Sequence, residues 1–142
     1  MADDNISDFA RSMGIATSGL RAQAGRMRVI SENIANADST APTAGGDPYR
    51  RKVPTFTAQL DRTLDAKTVA LGKVAPDTSA FRTKYEPSNP AADRTGYVKY
   101  PNVNPLIEMT DMREAQRSYE ANLNIIGATR RMIQRTLDIL KA

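Results

Sequence analysis

The chain has 142 residues, 40% of them apolar and 6% aromatic with no Trp, which argues against a large three-dimensional core and fits one domain or one helical module with an insertion. With no Cys and no His there is no disulfide framework, no thiolate chemistry and none of the commonest general base or metal ligand. The net charge of +4 and pI near 9.6 raise nucleic acid or acidic lipid as partners, and no stretch reaches the ~18 apolar residues of a membrane span.

The opening MADDNISDF is acidic and lacks a basic segment followed by a long apolar run, so no cleaved secretory signal is expected. Ile6, Phe9, Met13, Ala16, Leu20, Gln23, Met27, Ile30, Ile34 and Ala37 then recur at strict three-four spacing, the narrow seam of a coiled-coil helix over residues 1–36. Asn5 or Ser7 is the expected cap. Ala10, Gly14, Ser18 and Ala22 lie four apart, a ridge of small residues suited to close approach by another helix.

Residues 37–104 change character. Ala35 to Pro48 is rich in Asn, Ser, Thr, Gly and Pro and reads as a helix stop with an irregular loop, in which Asn33, Asn36 and Asp38 suggest a local cap and turn cluster. Tyr49 to Asp61, with the triplet Arg50, Arg51 and Lys52, reads as an extended arm that is solvated or contacts another subunit. Residues 68–75, 81–85 and 97–100 are strand candidates, the last two joined by a turn at Asp93-Arg94-Thr95-Gly96.

Asn104 and Pro105 supply a cap and a first helical residue for a helix over 105–142. Its three-four seam runs Met109, Met112, Gln116, Tyr119, Leu123, Ile126, Arg130, Ile133, Leu137 and Leu140. Arg130 either snorkels to the rim or pairs with an acid of the opening helix, near Asp8, or of a neighbouring subunit. Both helices begin with acids (Asp3, Asp4 and Asp8; Glu108, Asp111 and Glu114) and end with bases, so an antiparallel pairing sets opposite charges against each other. The expected fold is mainly α with a small β region: an antiparallel pair of long N- and C-terminal helices, a coiled-coil stalk, with an inserted β-hairpin and loop region.

No Ser has a His base, no cluster has metal-ligand spacing, and Gly45-Gly46 lacks the Lys-Ser/Thr of a phosphate loop. The expectation is therefore no enzyme, no metal and no cofactor. The basic triplet has neither an aromatic stacking platform nor a helix-turn-helix, so no nucleic acid is expected; a basic coiled-coil nucleic-acid binder stays as the alternative from another class.

The segment SENIANADSTAPTAGGDPYRRK, from Ser31 to Lys52, resembles the Ala-Asn-x-x-Thr-x-Gly-Tyr signature of bacterial flagellar rod and hook proteins. The matching positions are Ala35, Asn36, Thr40, Gly46 and Tyr49, with Thr40 one residue late and an insertion before Asp47-Pro48. That longer form, which ends in Tyr49, Arg50, Arg51 and Lys52, is similar to the proximal-rod members. So is GYVKYPNVNPLIEMTDMREAQRSYEAN from Gly96 to Asn122, which carries Asn104, Pro105, Glu108, Met109, Met112, Tyr119 and Asn122. The resemblance implies a structural subunit of the flagellar basal body, with another axial rod or hook component as the runner-up. It implies terminal helices lining a hollow tube and an outer β layer touching neighbouring subunits. Expected partners are other copies, other proximal-rod and distal-rod proteins, the rod-to-ring junction protein and the flagellar type III export apparatus, with export to the periplasm.

Overall fold

The computed structural model describes residues 2–141, without the side chains of residues 2–6 and 140. Helix α1 (Ala2–Ala35) is followed by six short strands and by helix α2 (Pro105–Lys141) among the described residues. The strands are β1 (Lys52–Val53), β2 (Phe56–Asp61), β3 (Ala66–Leu71), β4 (Ala75–Pro76), β5 (Arg82–Tyr85) and β6 (Tyr97–Tyr100), and they form three two-stranded antiparallel sheets, β1 with β4, β2 with β3 and β5 with β6. The protein is mainly helical with small antiparallel sheets. Strands at 82–85 and 97–100 fall on their expected positions, whereas the expected strand over 68–75 occupies 66–71.

Because α1 starts at Ala2, Asn5 and Ser7 lie inside the helix and neither caps it. The expected side-chain contributions of Asp3, Asp4, Ile6 and Leu140 lie outside the described residues. At α2 the expected start holds: Asn104 accepts a hydrogen bond from Leu106 N through its Oδ1 (3.1 Å) and from Glu108 N through its carbonyl (3.1 Å), satisfying two amides of the first turn.

Two compact units share the chain, one of residues 1–26, 55–73 and 114–142, the other of residues 27–54 and 74–113. Each unit draws on both helices and on part of the strand region, so these units cut across the three sequence segments.

In the first unit, the small residues of α1 receive strands, not the expected helix. A methyl group at Gly14 would lie 2.3 Å from Leu64 Cδ1, and one at Gly25 would lie 2.8 Å from Leu71 Cδ2. Ser18 Oγ accepts from Val69 N at 3.2 Å, which caps one outward amide of β3. Asp61 Oδ1 accepts from Thr63 N and Leu64 N, shaping the turn between β2 and β3, and Arg11 Nε donates to Leu64 O at 3.0 Å. The sheet thus sits on the ridge because only small side chains leave room for Leu64 and Leu71. On another side of α1, Gly19 lies against Asn122, whose Nδ2 would be 2.8 Å from a methyl group added at the glycine, and Arg26 reaches Glu114 at 3.6 Å. These two contacts run in opposite directions along the two helices.

In the second unit, Val98, Val103 and Pro101 are fully buried beside Ala37, Ala41 and Ala91. Most core side chains here are small, so polar groups carry much of the packing. Gly45, at φ 69°, lets its N–H reach Ala91 O (3.1 Å) and shapes the 40–48 loop.

The burial along α2 also differs from the expected seam. Met112, Tyr119, Ile126 and Ile133 are half-buried, whereas Met109, Gln116, Leu123, Arg130 and Leu137 are exposed. The buried positions one residue earlier in each heptad are Glu108, Ala115 and Thr129, with Asn122 half-buried. The shift follows from size: small and polar side chains leave room for close backbone approach, and the larger apolar ones turn outward. On α1, Ile30 is buried and Phe9, Met13, Leu20, Met27 and Ile34 are half-buried. Among the described side chains, Gln23, the polar member of the α1 seam, has a buried Oε1 without a hydrogen-bond partner.

Candidate functional site

The second unit holds an unusual feature for so small a core: Asn33 and Glu108, both 1% exposed, meet inside it. Asn33 projects from the last turns of α1, Glu108 from the first turn of α2. Asn33 Nδ2 donates to Glu108 Oε2 at 3.0 Å and to Lys52 O at 2.9 Å, while its Oδ1 accepts from Lys52 N at 2.9 Å and from the Tyr49 hydroxyl at 2.8 Å. The pattern has a local cause. Asp77 N donates to Arg51 O across the β1–β4 ladder, so the next residue, Lys52, turns its own N–H and C=O away from β4. Asn33 meets both groups with one carboxamide, standing in for a third strand at a single residue.

Glu108 is held on its other oxygen by Arg51, whose Nε donates to Oε1 at 2.6 Å. Arg51 also lies 3.5 Å from Asp77 Oδ2 and 3.9 Å from Asp111 Oδ2. Burial works against the Arg51 charge, yet the hydrogen bond and attraction of Glu108, then those of Asp77, outweigh it and raise its pKa. Asp77 is held below the usual carboxylate range chiefly by hydrogen bonds from Ser79, with Arg51 adding to it. Tyr49 is pushed up to about 12 by burial first and then by the negative charges of Glu32 and Glu108, so it stays a neutral donor to Asn33. A buried charge is tolerated when paired and fully hydrogen-bonded, and Glu108 satisfies both conditions.

An outer ring of bonds fixes the surrounding backbone. Asn102 Oδ1 accepts from Arg51 N at 2.8 Å, and its Nδ2 donates to Asp77 O and Ser79 Oγ. Arg50 donates to Asp77 O and Ser79 O and lies over the Phe81 ring, 4.1 Å from its centroid. Lys52 Nζ pairs with Glu32. The basic triplet is therefore not a free arm: Arg51 is 22% exposed, and all three side chains bind within the unit because acids and carbonyls surround them.

The structure brings together Asn33, Tyr49, Arg50, Arg51, Lys52 and Glu108, all singled out from the sequence. Others lie elsewhere. Asn36 and Ser39 build the turn after α1, with Asn36 Nδ2 donating to Glu32 O at 2.9 Å; Asn33 joins that turn through its carbonyl, which accepts from Asn36 N at 3.3 Å, while its side chain serves the buried cluster. Ala35 and Thr40 are exposed and Gly46 is half-buried in the 40–48 loop, where Asp47 pairs with Lys99 at 2.8 Å. Asn104 and Pro105 open α2, Met112 and Tyr119 are half-buried, and Met109 is exposed. Asp8 pairs with Arg11 on its own helix at 3.2 Å. Sequence reasoning missed Glu32, Asp77 and Asn102. Asn102 sits inside the Gly96–Asn122 stretch and was within reach, but Asp77 is a single polar residue in an irregular segment and carries no pattern. Among the described residues no group of three His, Cys, Asp or Glu is arranged to hold a metal ion, and no described helix is long and apolar enough to cross a membrane.

What this geometry accomplishes is to tie the end of one long helix, the start of another and the strand between them into one unit, the work of a structural protein. Residues 13–41 match the family described as flagella basal body rod protein, and residues 94–139 match flagellar basal body rod FlgEFG protein C-terminal. The flagellar basal-body rod protein FlgC of Agrobacterium fabrum is 55% identical over 128 residues, 90% of this chain and 92% of that protein. FlgC of Bacillus subtilis is 38% identical over 145 residues, covering 92% and 97% of the two chains, and FlgC of Salmonella typhimurium is 41% identical over 128 residues, covering 88% and 92%. The chain belongs to the flagellar basal-body rod protein family. As such it is a structural subunit of the proximal rod in the flagellar basal body.

Proposed function

We propose that this subunit works by mechanical rigidity, with the buried clamp around Glu108 as the feature that carries the reading. Torque passing through a rod must not be lost in the joint between helix and strand region, and a satisfied buried polar network rigidifies such a joint. The two terminal helices pair antiparallel as a coiled-coil stalk lining a hollow drive shaft. The contacts Gly19–Asn122 and Arg26–Glu114 support that direction. Exposed Leu123, Ile125, Met132, Leu137 and Ile139 on α2 then meet other copies and other rod proteins, proximal and distal, and the rod-to-ring junction protein. The chain reaches the periplasm through the type III export apparatus, and it acts without catalysis, cofactor or nucleic acid.

The test is complementation of a strain lacking the gene. Leu123→Asp with Leu137→Asp leaves the exported chain intact but gives no rod in isolated basal bodies and no swimming. Normal basal bodies with this variant would remove the outward α2 face from the assembly.

A further inference from the structure

Among the described residues, strand β2 is paired along one edge only. Gly72 N donates to Thr55 O at 2.7 Å, and the register pairs Thr57 with Ala70, Gln59 with Thr68 and Asp61 with Ala66. Hydrogen-bonded positions alternate along an antiparallel ladder, so the odd-numbered residues of β2 face β3. The Val69 N–H, opposite Ala58, points away from β2 to Ser18 Oγ, in agreement with that phase. The N–H and C=O groups of Phe56, Ala58 and Leu60 therefore point away from β3.

That edge is unprotected. Residues 56–60 contain no charge and no Pro, and all five are exposed, Phe56 to 42% and Leu60 to 63%. Folded proteins ordinarily blunt such edges with Lys, Pro or bulges, or cover them. The opposite edge of the same sheet is covered, by Ser18 of α1.

We infer that β2 pairs with β2 of a second copy of this chain, antiparallel and centred on Ala58, to give a four-stranded sheet across a two-fold axis. Phase and charge favour this occupant. Antiparallel self-pairing about Ala58 sets Phe56 opposite Leu60 of the partner and Ala58 opposite its counterpart, so every outward amide meets an outward carbonyl. The apolar side chains pack on one another, and Asp61 falls opposite Thr55, with no like charges facing. Such a pair closes on itself, whereas a growing rod needs head-to-tail contacts. It thus belongs to the free chain, where it shields the edge, and its failure would leave the rod reading intact.

The absence of Cys makes the test clean. Counterparts at a hydrogen-bonded antiparallel pair have Cα atoms about 5.5 Å apart, within disulfide reach. Full-length Ala58→Cys is expected to form a disulfide dimer under mild oxidation at least about tenfold faster than Thr63→Cys in the adjacent exposed turn, the proximity effect of a pre-formed pair. Adding Leu60→Lys should abolish the advantage. Ala58→Pro removes an outward N–H and no bond to β3, so it should keep the wild-type circular dichroism yet sediment as a monomer where the wild type shows dimer. Equal cross-linking of the two Cys variants, or unchanged sedimentation of a folded Ala58→Pro chain, overturns the inference.

Discussion

Replacing Asn33 by Ala removes four hydrogen bonds at one stroke, with donors or acceptors on Lys52, Tyr49 and Glu108. The losses are unequal. Glu108 keeps Arg51, but its second oxygen loses a charge-assisted bond, a cost of about 1.5–3 kcal/mol. The Lys52 N–H and C=O face away from β4, and the side chain that served both is gone; at the low end, with water entering the vacated space, each costs about 1 kcal/mol. The half-buried Tyr49 hydroxyl can turn toward solvent and adds little. Together these come to roughly 3–5 kcal/mol, a large share of the ~5–15 kcal/mol that holds an ordinary domain folded. Urea unfolding followed by circular dichroism measures the loss, and amide exchange at Lys52 localises it. Asn33→Asp adds a second test, because it brings a carboxylate to Glu108 Oε2, 3.0 Å from the replaced nitrogen. Two carboxylates so close raise the pKa of one of them in the folded state. The folded form then binds the extra proton more tightly, so this variant should gain stability relative to wild type as pH falls from 7 toward 5. A loss below about 1 kcal/mol for Asn33→Ala, with unchanged exchange at Lys52, would refute the clamp.

Other positions make separate demands. Tyr49, pushed up to about 12 in the fold, favours the neutral phenol there; its contribution is fully present below pH 10 and is lost as pH rises through about 12, and Tyr49→Phe should remove that alkaline loss from the melting profile. Glu86 is held down to about 2 by Lys84 first, then Asn89 and Tyr100, so its stabilisation is present above about pH 4.5 and fades toward pH 2; Glu86→Gln should flatten that acid limb. Gly96→Ala at φ 84°, with Tyr85 Cε2 2.8 Å from the added methyl, is expected to cost ~1–3 kcal/mol by thermal unfolding.

The helices were legible because three-four spacing and the Asn104-Pro105 start are local signals. Their contact faces were not. A stripe of Met109, Leu123 and Leu137 satisfies the same period as Glu108, Asn122 and Thr136, one residue away, and period alone does not say which of two adjacent stripes turns inward. Apolar content favoured the first stripe; the structure buries Glu108 and Thr129 and half-buries Asn122 and Thr136 of the second. The small-residue ridge Gly14, Ser18 and Ala22 announced a close approach correctly, yet nothing in its spacing tells a helix from a hairpin carrying Leu64 in its turn and Leu71 on its second strand.

The clamp explains why signature and structure coincided at Asn33, Tyr49, Arg51 and Glu108 while their roles were misjudged. Singly, each has an ordinary local reading: a helix-end Asn forms turns, an Arg beside other bases is solvated, a Glu at a helix start suits the dipole. Their shared role depends on sequence separations of 75 residues between Asn33 and Glu108 and 57 between Arg51 and Glu108, beyond any local pattern. Substitutions that are mild by local rules should therefore be severe in combination. In a double-mutant cycle, Arg51→Met and Glu108→Leu together should cost less than the sum of the two single changes, because either alone strands a charge in the core whereas the pair removes both. Strict additivity would mean that Arg51 is served as well by Asp77 and Asp111, and that the charge at the centre of the clamp is not what joins the two helices.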